Sequence, residues 1–187
     1  MIRRLIAALS IASVVFLTAS VPARAQDATS KDTAAAIKGG FVEDLGELER
    51  SSSPWPKRSR RTNTWRPMDG VRSVSEVLML AAFEGYAFIP NSFGAKAADL
   101  GSREEAAKLR TLSDKPQVID HLKKGFAHAK QQLGALDAAT LTGTRKVMGR
   151  DMSVVQIADG IGGDLHEHLG QLIAYARMNH IVPPWSK

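Results

Sequence analysis

The feature that most constrains this chain is a helical period sustained from Ser153 to Asn179. At about 100° per residue, Val154, Ala158, Ile161, Leu165, Leu169, Leu172 and Ala176 fall on one stripe. A segment of that length and period needs other helices to cover its apolar face. Asp164, His168 and Tyr175 lie along one edge of the stripe, with Gln171 just outside and His166 on the opposite edge. A carboxylate and an imidazole four residues apart stand one turn apart on the same face. Site chemistry is therefore expected around Asp164 and His168.

Three further segments carry the same period. The first runs from Thr33 to Arg50, with Ala36, Ile37, Phe41, Leu45 and Leu48 near helical spacing and Gly39-Gly40 interrupting it. Each glycine costs such a helix about 1 kcal/mol. The second opens at a serine cap, Ser73 or Ser75, and runs to about Ile89, where Pro90-Asn91-Ser92-Phe93-Gly94 is expected to break it. It is apolar on nearly every side and so should be the most buried. Glu84 is its exception, and is expected at the helix edge, reaching solvent or an arginine. The third opens with Ser113-Asp114-Lys115-Pro116, a cap followed by a first-turn proline. Its stripe is Val118, Leu122, Gly125, Phe126, Ala129, Leu133 and Leu136. His121 and His128, seven apart beside that stripe, are too distant for one metal ion and read as edge residues.

The connections are long. Residues 51–73 hold Pro54 and Pro56, a basic run of Lys57, Arg58, Arg60, Arg61 and Arg66, and Trp55 and Trp65 at its ends. The run has no helical phase and reads as a solvated loop whose tryptophans fold back on the core. Residues 95–112 read as an irregular or short helical insert, 137–152 as a further connection, and Val182-Pro183-Pro184-Trp185 as a stiff extended tail. Four helical patterns without an alternating strand signal predict an all-α fold, a four-helix bundle.

The first 25 residues have the layout of a secretory signal. Arg3 and Arg4 precede an uncharged apolar run, and Ala23-Arg24-Ala25 forms an A-x-A cleavage pattern. The organisation expected is a signal over 1–25, a flexible lead-in over 26–33 and one helical domain over 34–187. The product is expected to be exported, periplasmic or extracellular, with no stable membrane anchor after cleavage. Loss of Arg3, Arg4 and Arg24 takes the formal charge from +6 to +3, too mild to argue for nucleic acid. The chain has no cysteine, which excludes disulfides, a thiolate nucleophile and thiolate metal sites.

Two motifs resemble a known family. Thr64-Trp65-Arg66-Pro67-Met68-Asp69-Gly70-Val71-Arg72-Ser73-Val74-Ser75-Glu76-Val77-Leu78 is similar to the start of the second helix in DinB-like proteins, the damage-inducible helical superfamily. His166-Glu167-His168-Leu169-Gly170-Gln171-Leu172, followed by Tyr175, Arg177, Met178-Asn179 and Ile181-Val182-Pro183-Pro184, resembles that family's last helix and tail. The resemblance spans about residues 34–187. It implies an up-down-down-up four-helix bundle, often a homodimer. It also implies a divalent metal, zinc or nickel for example, held by one histidine of the second helix and two of the last. Family members include thiol transferases, isomerases and hydrolases.

Carried over residue by residue, the second-helix histidine falls on Leu80, the first of the last-helix pair on Asp164, and the second on His168, which is kept. A leucine has no lone pair to offer. Glu84 lies about 6 Å further along the helix axis and replaces the lost ligand only if the site shifts. The reading these substitutions favour is an exported binding or interaction module for a small molecule. In it the metal site is degenerate and metal-free, and Leu80, Gln171 and Tyr175 line the pocket. The alternative is a divalent-metal-dependent transferase or hydrolase using Asp164, His168 and Glu84. A third reading is metal-free acid–base catalysis by His168 oriented by Asp164.

Overall fold

The computed structural model describes residues 28–52 and 64–182. The expected signal peptide, most of the basic run with Trp55, and the tail from Pro183 lie outside the described residues. Among the described residues the chain is mostly helical. Helix α1 spans Lys31–Ser52, α2 Val74–Phe83, a π turn Glu84–Phe88, α3 Ile89–Phe93, α4 Arg103–Arg110 and α5 Lys115–Ala135. A 3-10 turn at Ala138–Leu141 follows. A hairpin comes next, β1 Arg145–Val147 and β2 Arg150–Met152, and then α6 Val154–Met178.

Side-chain caps set where the helices begin. Ser73 closes a capping box on α2 with Glu76, Ser153 does the same for α6 with Gln156, and Asp114 caps α5 by accepting from the Gln117 N–H. Helix α1 is longer than its period predicts and runs through Gly39 and Gly40. Both glycines are exposed with nothing near their α-carbons, so the helix bears only their propensity cost. It begins at Lys31, inside the expected lead-in, and the Thr29 N–H donates to the Thr142 carbonyl just ahead of it.

The proline of Pro90 does not end the second helical segment as expected. The π turn precedes it, with the Ile89 N–H donating five residues back to Glu84. Proline lacks the N–H that would reach Tyr86, and the Ala98 N–H takes that carbonyl instead at 2.8 Å. The helix therefore continues to Phe93 and stops at Gly94, whose φ of 77° suits a glycine.

The absence of strands is also corrected. β1 and β2 pair antiparallel, Val147 opposite Arg150, across Met148 (φ 49°) and Gly149 (φ 80°). These are the paired left-handed residues that a two-residue hairpin turn requires.

One core joins the long helices. α1 packs on α6 and α5, and α2 packs on α5 and α6. Phe41, Leu45 and Leu48 of α1 meet Val77, Leu78 and Met79 of α2, Leu122, Phe126 and Leu133 of α5, and Ile157, Leu165 and Leu172 of α6. Ile157 is buried whereas Ala158 and Leu169 are only half-buried, so the inward face of α6 is turned slightly from the predicted stripe. Contact between α2 and α5 is closest at glycine. A Cβ built on Gly85 would lie 2.5 Å from the Gly125 carbonyl oxygen, and one built on Gly125 would lie 3.0 Å from Ala82 Cα. Backbone meets backbone there, immediately beside the π turn.

Candidate metal centre

Glu84 ends the regular turns of α2, its N–H donating to the Leu80 carbonyl, and opens the π turn. It does not reach solvent as its sequence position suggests. It is 7% exposed and directed at α6. Its Oε1 accepts from His168 Nε2 at 3.3 Å, and its Oε2 is buried with no hydrogen-bond partner. His168 Nε2 also lies 3.8 Å from Asp164 Oδ2, one turn earlier on α6. One donor atom from each of Glu84, Asp164 and His168 lies within 4.8 Å of the other two. The side chain of His168 is 12% exposed and that of Asp164 is 46%, so the cluster has a closed side at Glu84 and an open side at Asp164.

Electrostatics follow from this burial. Desolvation pushes the Glu84 carboxyl above the ordinary carboxylate range; the His168 hydrogen bond and charge oppose the rise, and Asp164 adds to it. The hydrogen bond to Glu84 holds His168 above the ordinary histidine value against its own burial. The charges of Glu84 and Asp164 add to the rise and that of Arg72 subtracts. A buried carboxylate oxygen without a partner is costly, at about 1–3 kcal/mol. A cation between the three donors would satisfy it. Two carboxylates and one imidazole form a harder donor set than three histidines and suit zinc, manganese or nickel by charge and softness. The residues present therefore fit a divalent ion.

Other residues named from the sequence fall elsewhere. Leu80 stands one turn before Glu84 and lines a cavity of about 350 Å³ with Arg66, Gly70, Val71, Arg72, Glu76 and Arg110. Gln171 donates to the Tyr175 hydroxyl at 2.7 Å, and that hydroxyl donates to the Arg72 carbonyl at 2.9 Å. These two residues tie α6 to the segment before α2, and Trp65 packs edge-to-face on Tyr175 at 5.4 Å. His166 pairs with Asp44 of α1 at 3.1 Å, on the far edge of its helix. His121 meets the Tyr86 hydroxyl at 3.1 Å and His128 the Lys96 carbonyl at 3.1 Å, so neither joins the cluster.

A second cavity of about 350 Å³ went unnoticed in the sequence. Phe88, Val147, Met148, Met152, Ile157 and Ile161 line it, with Arg150 and Asp164 as its charged members. It exists because the hairpin lies against α6, and residues 145–152 carry no apolar alternation to announce a strand. The one available signal was Gly149 itself. The chain matches no family model, no curated protein and no solved structure.

Proposed function

We propose that this protein is an exported, divalent-metal-dependent enzyme of hydrolytic or group-transfer type. Glu84, Asp164 and His168 would be its metal ligands. The single observation that carries this reading is the convergence of Glu84, Asp164 and His168, one donor atom of each within 4.8 Å of the others, with Oε2 of buried Glu84 left unpartnered. Glu84, one regular turn after Leu80, is the acid of this helix that approaches Asp164 and His168, and it would stand in for the missing histidine. The ring of contacts from α1 to α6, α2, α5 and back to α1 supports a four-helix bundle of the DinB-like up-down-down-up type.

A bound divalent ion would supply Lewis acidity and lower the pKa of a nucleophilic water or hydroxyl. The chain's own residues do the rest. Before an ion binds, Glu84, poorly solvated, holds a proton more readily than an exposed carboxylate does, and it would release that proton on becoming a ligand. In that same metal-free state the His168 Nε2–H donates to Glu84 Oε1, and that nitrogen would give up its proton to become a ligand. Asp164 turns the reactive side toward the apolar cavity, where Phe88, Met152 and Ile157 exclude water from a bound molecule.

Titration of zinc, nickel and manganese into chelator-treated protein tests this. Each of Glu84→Gln, Asp164→Asn and His168→Gln should weaken the tightest of these ions about tenfold or more. Affinity unchanged in all three would reject it. A second reading rests on the 3.3 Å Glu84–His168 hydrogen bond, which lets the pair persist without metal in a small-molecule-binding module. That reading predicts no saturable metal binding. Export is part of the proposal and rests on the basic start, apolar run and A-x-A pattern of residues 1–25. Intact mass of the protein from the producing cells should place its first residue at Gln26.

A further inference from the structure

Three arginines line the cavity beside Leu80, and they are not equivalent. Arg66 is engaged, pairing with Glu76 at 3.3 Å and donating to the Val71 carbonyl. Glu76 is likewise satisfied. It accepts from the Ser73 N–H at 2.6 Å, a bond that holds its carboxyl below the ordinary range. The single acid on this wall is therefore already neutralised. Arg72 and Arg110 have no carboxylate partner among the described residues. Arg110 rests its guanidinium on the Phe83 ring, 4.7 Å from the centroid. Stacking on an aromatic face fixes the plane of the group and leaves its edge N–H donors free to point into the cavity. Arg72 is fixed through its backbone, whose carbonyl accepts from Tyr175, and its charge reaches His168. The cavity is thus contiguous in its electrostatics with the metal-ligand cluster.

We propose that this cavity is the anion subsite of the same site, in which Arg72 and Arg110 bind the carboxylate or phosphate of a small-molecule substrate. One guanidinium fork held on an aromatic ring, a second arginine on the same cavity wall and a neutralised acid beside them suit a planar carboxylate or a phosphate by bidentate hydrogen bonding. Leu80 supplies the apolar floor between the arginines and Glu84. The volume admits a molecule of several heavy atoms, not a polymer. The substrate class is then a small organic acid or phosphate ester whose reacting bond lies toward Glu84, Asp164 and His168. The inference rests on the metal-centre reading for that last step, while the binding claim stands on the cavity alone.

Calorimetric titration of inorganic phosphate and of succinate, with neutral succinamide as control, tests it on the purified protein. The measurements are made in zinc-replete and in chelator-treated samples. The expected result is saturable binding of phosphate or succinate, and no binding of succinamide. That binding should weaken about tenfold or more in Arg72→Met and in Arg110→Met. Arg103→Met, on α4 and away from the cavity, should leave it unchanged. The anion that binds more tightly tells a phosphate from a carboxylate substrate. Absence of binding by both anions, or equal losses in all three variants, would overturn the subsite. Thermal melts of each variant show that a loss is not unfolding. Zinc content of the same samples reports separately on the metal centre, so the two readings fail independently.

Discussion

Gly85→Ala should be a severely damaging single methyl in the π turn that continues α2. The added carbon would sit 2.5 Å from the Gly125 carbonyl oxygen and 3.0 Å from Gly125 Cα. Ordinary contact begins near 3.4 Å, so the helices must separate by close to an ångström, and both clashing surfaces are backbone. Overpacking of this kind costs about 1–3 kcal/mol, more where nothing flexible can yield. We expect about 3 kcal/mol, after the gain of about 1 kcal/mol that alanine brings to a helix. For a chain this size that lowers the melting temperature by roughly 6–12 °C. Gly40→Ala is the internal control, because that glycine is exposed on α1 with nothing within 4 Å. It should stabilise by about 0.5–1 kcal/mol. Urea unfolding followed by circular dichroism, at equal m-values, measures both. If the two substitutions shift the midpoint in the same direction, the close α2–α5 approach is wrong.

Three further outcomes follow from individual groups. Burial, with some help from the Asp120 charge, pushes the Tyr86 hydroxyl from 10.0 up to about 12. The folded chain holds that proton more tightly, so stability is full below pH 10 and is lost as the pH rises toward 12. Tyr86→Phe should make the decline between pH 10 and 12 shallower in denaturant titrations; an unaltered decline would contradict this. Glu84 and His168 are both raised, from 4.5 and 6.5 respectively. The metal-free protein should therefore be most stable in mild acid and lose stability as the pH climbs past 6.5 through the folded value of His168. His168→Gln should flatten that part of a melting-temperature profile, and a profile rising over the same range would refute the assignment. Removing the α6 cap by Ser153→Ala should cost about 1 kcal/mol in denaturant titrations, and a cost near zero would mean the capping box carries no weight.

Much of the frame was legible because it rests on period and caps. The stripe of α5 reads directly from Val118 to Leu133, and Ser73 and Asp114 mark helix starts by chemistry that is local in sequence. The site was half legible. Asp164 and His168 are four apart on one helix, so their proximity needs no knowledge of the fold. Glu84 reads as an edge residue because the sequence does not show which helix lies across from it, and only the tertiary packing of α6 against α2 brings His168 within hydrogen-bond reach. The hairpin was missed because Arg145-Lys146-Val147 and Arg150-Asp151-Met152 have almost no apolar residues, and its turn places a methionine where asparagine or glycine is usual. Arg72 and Arg110 were invisible as a pair. They lie 38 residues apart, and only the placement of α4 against α2 brings them to one cavity.

The central claim is that Glu84, Asp164 and His168 hold a divalent ion. Elemental analysis of the protein purified without chelator, after growth in medium replete in zinc, nickel and manganese, tests it most directly. The account predicts about one ion per chain, falling sharply in Glu84→Gln, whose fold is otherwise kept. Less than about 0.2 ion per chain in the unaltered protein would contradict it.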